Sequence, residues 1–267
     1  MNDADVPEGI SMGARTKAKL KTALETWRLL AAARMARRSL IGPWRLIHRV
    51  CGHTPHKTVE DRTYWEARGT GYLDECRPIF TDEDDPHYQS QRELLDELRG
   101  FEWRSLLEVG CGFGWHLRAI REAFPSATLA GVDFSASQLR RARTYVGDAA
   151  RVFLGQADGA SLPFRDGSFD VVATSGFLIY IHPQEMPRVL SELRRITRRS
   201  MIVLEYARED MDSPHRRELF DRAPWHGHTY SELLRQAGLR VVRHARCRGF
   251  DAHPDRVPVS YFLAEKD

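Results

Sequence analysis

The chain is predicted to fold as an α/β protein built on a doubly wound, Rossmann-like parallel sheet. Three observations carry that prediction. Leu106-Leu107-Glu108-Val109-Gly110-Cys111-Gly112-Phe113-Gly114 is an apolar run that ends in an acid and breaks into glycines at every second position. Two later apolar runs also end in acids: Thr128 to Val132 before Asp133, and Val152 to Ala157 before Asp158. Each acid therefore falls at the carboxyl end of a predicted strand, where open α/β sheets bind their ligands.

The elements follow in order. His53 to Asp85 is polar and aromatic, and Thr81-Asp82-Glu83-Asp84-Asp85-Pro86 reads as a solvated acidic turn. Gln89 to Leu98 reads as a helix leading into strand one. The glycine turn after that strand opens a helix over Trp115 to Phe124; glycines allow close backbone approach, and the helix amino terminus favours anionic groups. Strands two and three are the runs before Asp133 and Asp158, and Phe169 to Thr174 is strand four. Pro183 to Thr197 reads as a helix, and Met201 to Leu204 as strand five, ending at Glu205-Tyr206. Thr229 or Ser231 caps a helix through Gln236 that closes at Gly238. Leu239 to His244 and Val259 to Ala264 form a closing antiparallel pair.

Two cofactor classes compete for such a glycine loop. A dinucleotide fingerprint needs a third small residue three positions after its second glycine. Counting from Gly110 and Gly112, that position is Trp115, which is too large for close helix–strand packing. The pattern Glu-x-Gly-x-Gly-x-Gly instead resembles the first motif of class I S-adenosylmethionine (SAM) dependent methyltransferases. Gly131-Val132-Asp133-Phe134-Ser135 and Ala157-Asp158-Gly159-Ala160-Ser161-Leu162-Pro163-Phe164 extend the likeness, which spans roughly Glu93 to Lys266. It implies a seven-stranded sheet of order 3-2-1-4-5-7-6 with strand seven antiparallel.

The resemblance also implies a cofactor site. Glu108, Gly110, Gly112 and Gly114 would form its loop, Asp133 would accept the ribose hydroxyls, and Phe134 would lie against the adenine. Asp158 and Gly159 would meet the adenine amino group, and Ser175 would border the site from strand four. Asp133 and Asp158, each taken alone, suit capping or turn duty equally well. Cys111 reads as a small residue that fits the loop.

SAM carries an already activated methyl group, so the protein must mainly align an acceptor and exclude water. A base is needed only for an acceptor of high pKa. His182, in Ser175-Gly176-Phe177-Leu178-Ile179-Tyr180-Ile181-His182-Pro183, is the first catalytic candidate because imidazole titrates near neutrality. Tyr180 is the second, and His226 and His228 reach towards the same mouth. The bland alternative for any of these histidines is a helix cap or surface position.

The 267 residues, 42% apolar and 29% charged, suit a soluble protein with a sizeable core. No apolar run approaches a membrane span, and the first residues lack a secretory signal. Cys51, Cys76, Cys111 and Cys247 are scattered without metal-ligand spacing, which suggests reduced thiols in a cytoplasmic protein and no metal site. The net charge of +3 is uneven, with ten Lys or Arg against one acid between Ala14 and Arg49. Leu20, Leu24, Trp27 and Ala31 recur there at helical spacing. Residues 1–52 are thus expected to form a basic amphipathic helical extension, residues 53–100 a cap or lid, and residues 101–267 the SAM-binding domain. The extension suits packing on the catalytic domain, on a second subunit or on a partner protein; a membrane surface or a nucleic acid is the alternative. Aromatic residues in Asp61 to Tyr72 resemble the cover of small methyltransferases and could shield a sulfonium by cation–π contact.

Thr174-Ser175-Gly176-Phe177 does not match the Asn/Asp-Pro-Pro-aromatic motif of nucleic-acid amino methylation, and no Pro-Cys nucleophile is present. Leu178 to Pro183, with Ser191 to Ile196 and Leu204-Glu205-Tyr206, is similar to methylases of bacterial surface-sugar pathways, departing at Tyr180. The leading expectation is methyl transfer to a small-molecule acceptor, a sugar or secondary metabolite, at oxygen or nitrogen. The alternatives are an RNA- or protein-modifying methyltransferase docking through the basic helix, and a non-catalytic SAM-fold subunit.

Overall fold

The computed structural model describes residues 64–69, 71–147, 152–222 and 226–266. The expected extension over residues 1–52 lies outside the described residues. The helices are α1 (Tyr72–Thr81), α2 (Pro86–Arg99), α3 (Trp115–Ala123), α4 (Ala136–Val146), α5 (Met186–Ile196), α6 (Pro214–Arg222) and α7 (Tyr230–Gln236). The strands are β1 (Ser105–Val109), β2 (Thr128–Asp133), β3 (Val152–Gln156), β4 (Phe169–Ser175), β5 (Thr197–Glu205), β6 (Arg240–Arg246) and β7 (Ser260–Glu265).

β1 carries Leu106, Leu107 and Val109, all essentially inaccessible. Such a strand needs cover on both faces, which is the condition of a central parallel strand. It pairs in parallel with β2 on one side and β4 on the other. The full order is β3-β2-β1-β4-β5-β7-β6, with β7 antiparallel to both neighbours. The fold class is therefore the one the sequence predicts, and the strand order is the one the family resemblance implies. Alternation along the strands divides the core. Leu107, Val109, Val172 and Val203 pack with α5 and α7. Leu106, Leu129, Ala173 and Ile202 pack with α2, α3 and α4 on the opposite face. The winding direction reverses beside β1, so the crevice beyond β1 and β4 is the topological switch point.

Several boundaries differ from the sequence reading. Pro183 to Glu185 form a turn in which the His182 carbonyl accepts from the Glu185 and Met186 amides, so α5 starts later than expected. β5 starts earlier, at Thr197, because Arg198 can lie in the strand with its guanidinium bonded to Asp170 and the Gly167 carbonyl. Neither expected cap of α7 acts as one: Thr229 makes no side-chain cap bond, and the Ser231 amide and hydroxyl both donate to Glu209. The acidic turn is only partly solvated. Asp82, Glu83 and Asp84 are exposed, but Asp85 is buried and caps α2 by accepting from the His87 amide at 2.9 Å. Helices α1 and α6 were not expected.

Candidate active site

The loop after β1 has the backbone its glycines require. Gly110, Gly112 and Gly114 have φ of +76°, +54° and +85°, a region that side chains disfavour. A Cβ on Gly110 would stand 2.7 Å from Phe177, and one on Gly114 would stand 2.5 Å from Val146. A Cβ on Gly112 would meet nothing within 4 Å, and this residue borders a cavity of about 450 Å³. The Gly110 and Cys111 amides donate to the Val132 carbonyl, which ties the loop to the end of β2. Cys111 is buried against the position where Gly131 lacks a side chain, and burial pushes its thiol well above the usual range. Trp115 turns its ring onto Phe80 at 4.4 Å rather than into the helix–strand interface.

The expected cofactor residues converge on this cavity. Glu108, Gly110, Gly112, Asp133, Phe134, Asp158, Gly159 and Ser175 all line it. Asp133 accepts from the Gly112 amide at 3.0 Å and the Ser135 amide at 2.8 Å, one on each oxygen. Each oxygen retains acceptor capacity for a ligand hydroxyl. Burial nevertheless raises its pKa above the ordinary value. Asp158 holds its own turn by accepting from the Ala160 amide. Gly114 lies outside the lining, packed against α4.

Among the described residues, three buried polar atoms of the cavity wall have no partner: Glu108 Oε2, His116 Nε2 and Gln138 Oε1. Glu108 and His116 satisfy each other through Oε1 and Nδ1 at 3.0 Å and leave their far atoms unmatched. Buried groups of this kind normally find partners. An acid, an imidazole nitrogen and an amide oxygen beside a glycine loop fit the amino-acid and nucleoside groups of SAM, so the residues present suit that cofactor.

A helical turn over 64–68 covers the cavity beside β2. Glu66 accepts from the Ser137 amide at 3.1 Å and the Ser135 hydroxyl at 2.9 Å, at the amino terminus of α4. The Ser137 amide bond is the chief reason the Glu66 pKa is lowered. A Cβ on Gly69 would fall 2.1 Å from Ser137 Oγ, so only glycine permits this approach. Trp65 then reaches edge-on to Tyr72 and Tyr180, at 5.6 and 5.1 Å between ring centres. The Arg68 guanidinium already lies over the Tyr64, Trp65 and Tyr72 rings.

The two expected catalytic side chains also line the cavity. His182 Nδ1 accepts from the Gln184 amide at 3.3 Å, so the neutral ring carries its proton on Nε2 and donates there. Burial pushes Tyr180 up to about 12, which keeps it a phenol at neutral pH. His226 stacks edge-on with His182 at 5.2 Å. His228 is buried and bonded to the Ile181 carbonyl, a structural tie.

Sequence reasoning missed two groups. Glu205, inaccessible at the end of β5, accepts from the amides of Phe177, Leu178 and Ile179 and so shapes the loop after β4. Its place at a predicted strand end was the available signal. His87 and Tyr206, both on the cavity wall, lie 2.8 Å apart from Nε2 to hydroxyl. Nothing in Asp85-Pro86-His87 marks it locally as more than a turn.

Residues 106–200 match the methyltransferase-domain family. The chain carries a class I SAM-dependent methyltransferase domain. It is 31% identical over 118 residues to malonyl-[acyl-carrier protein] O-methyltransferase of Geobacter sulfurreducens, covering 42% of this chain and 43% of that protein. It is 27% identical over 158 residues to demethylmenaquinone methyltransferase of Lactiplantibacillus plantarum, covering 52% of this chain and 65% of that one. The chain thus spans less than two thirds of either relative. Magnesium protoporphyrin IX methyltransferase of Synechocystis, solved with bound SAH, has the same fold (TM-score 0.61, 18% identity, 77% of this chain and 98% of that one). No helix among the described residues of the methyltransferase domain is long and apolar enough to cross a membrane.

Proposed function

We propose that the protein transfers the methyl group of SAM to a small-molecule acceptor bound against the aromatic wall of the same cavity. The observation that carries this reading is the set of unmatched buried atoms, Glu108 Oε2, His116 Nε2 and Gln138 Oε1, on a wall shared with the glycine loop and Asp133. SAM would bring a methyl group activated by its positive sulfur. The chain's own residues would do the rest. Gly112 and Asp133 would seat the nucleoside, with Phe134 and Asp158 at its base, and Glu108 would face the amino-acid portion.

The acceptor side is built from Tyr72, Phe80, Phe113, Trp115 and Tyr180, which favour an apolar or ring-shaped molecule and keep water out. The names of the relatives point to carrier-borne or small acceptors, which agrees with this wall. His182, with its proton on Nε2, would orient an acceptor oxygen at the mouth.

Calorimetric titration of the full chain with SAM, SAH and NAD tests the reading. Micromolar SAM binding is expected. Asp133→Ala should weaken it by about 2–4 kcal/mol, roughly 30- to 1000-fold. Asp133→Asn, which retains an acceptor for the Gly112 amide, serves as the folded control. Folded protein that binds NAD but neither SAM nor SAH would overturn the proposal.

A further inference from the structure

Of the two side chains first expected to act as bases, His182 presents a donor, and Tyr180, like Tyr206, is held as a phenol by burial, so a base has to come from elsewhere. A different imidazole reaches the cavity from the start of α2. The Tyr206 hydroxyl and His87 Nε2 are 2.8 Å apart, and His87 Nδ1 and Asp85 Oδ1 are 3.0 Å apart. Asp85 also accepts from the His87 backbone amide at 2.9 Å and from Arg256 at 2.9 Å. Three distant segments supply these groups: the cap of α2, the residue after β5, and the loop before β7.

The polarity of the chain follows from donor chemistry. A carboxylate only accepts, so His87 must carry its proton on Nδ1. Nε2 is then the free lone pair, and it accepts from the Tyr206 hydroxyl. Although burial opposes its ionisation, Asp85 is held below the ordinary carboxylate range by Arg256 and the His87 bonds. Burial lowers His87, against the pull of Asp85, so the ring is neutral and able to take a proton. Tyr206 stands two residues past Leu204, the neighbour of Ser175 in the sheet, at the same switch-point crevice as the glycine loop.

We propose that Tyr206, His87 and Asp85 form a proton relay that deprotonates an apolar, ring-sized acceptor bearing a hydroxyl. This rests on the methyl-transfer reading above and makes the reaction an O-methylation. The acceptor O–H bond breaks as its proton passes to the Tyr206 oxygen, while the Tyr206 proton passes to His87 Nε2. The acceptor oxygen uses the freed electron pair to take the methyl carbon, leaving the old bonding pair on the departing sulfur. The resulting imidazolium is stabilised by Asp85 and returns its proton to water after release. Tyr206 and His87 are the catalytic residues here, and Asp85 is the positioning residue.

Two-bond proton–nitrogen spectra of the 15N-labelled full chain, recorded without cofactor from pH 5 to 9, test the relay. At pH 7 His87 should show a protonated Nδ1 and an unprotonated Nε2, and should titrate below an ordinary histidine. Among the described residues, the titratable and charged groups facing its ring are Asp85, Arg256 and Tyr206, with Phe250 packed edge-on at 5.0 Å. Tyr206→Phe should raise the His87 pKa, because the hydroxyl that favours the neutral ring is gone. Asp85 caps α2, so Tyr206→Phe, which keeps the ring, is the deciding variant.

Phenol added at millimolar concentration serves as the probe hydroxyl. It should shift His87 Nε2 in the wild type and lose that effect in Tyr206→Phe. A proton on Nε2, a His87 pKa indifferent to Tyr206→Phe, or no response to phenol would each overturn the relay. SAM binding with a protonated Nε2 would leave the enzyme standing and remove only its base.

Discussion

Glu108 and His116 are bonded at 3.0 Å inside the cavity wall, one from β1 and the other eight residues on in α3. The pair fixes the direction of both side chains on the wall of the site. Glu108→Gln keeps the shape and the bond to His116 but removes the acid. SAM affinity should fall by about 1–3 kcal/mol, roughly 5- to 150-fold, with little change in melting temperature. Calorimetry beside thermal unfolding checks this, and unchanged affinity would mean that Glu108 only holds His116.

Glu66 performs for α4 the service that an N-cap side chain usually performs, but from a separate segment. Glu66→Ala should release the turn over 64–68 from α4. Limited proteolysis near Trp65 should speed up several-fold, and SAM affinity should weaken about fivefold, near 1 kcal/mol. Because the Glu66 pKa is lowered, wild-type protection should disappear as the pH falls below the ordinary carboxylate range, and the variant should show no such change. Equal cleavage rates in the two proteins would show that the serines alone hold the turn.

Glu205 gives the fold a dependence on neutral pH. Burial raises its pKa to about 7 from 4.5, against the pull of three backbone amides. The folded state therefore binds a proton more tightly than the unfolded state between those values. Its contribution is complete below about pH 4.5 and is lost as pH rises through 7. The stability of the wild type relative to Glu205→Gln should be greater at pH 5 than at pH 8. The full change is about 3 kcal/mol, or roughly 6–12 °C in melting temperature. A difference that does not vary with pH would place the Glu205 pKa outside this window.

The chain's local pattern was enough for the elements that obey simple periodicity or need special backbone. Leu106 to Gly114 announced a buried strand and a glycine loop, because only glycine readily takes the φ values found at Gly110, Gly112 and Gly114. Asp133 and Asp158 were legible because strand ends in a parallel sheet all open on one edge. Helices α1 and α6 were not, since their stability comes from what they pack against rather than from propensity. The late start of α5 was hidden for a related reason, as the His182 carbonyl shapes the turn before it.

Short-range geometry thus dictates the sheet's central motif, the cofactor class and the residues that border it, and all of these can be read along the chain. Which ring nitrogen of each histidine faces a donor is settled by packing. His182 and His87 look alike as residues, but one accepts a bond from its own chain at Gln184, and the other is gripped between Asp85 and Tyr206, 119 positions further along. Ring tautomer and basicity are set by partners in space. Those partners meet only when α2, the end of β5 and the loop before β7 are packed together.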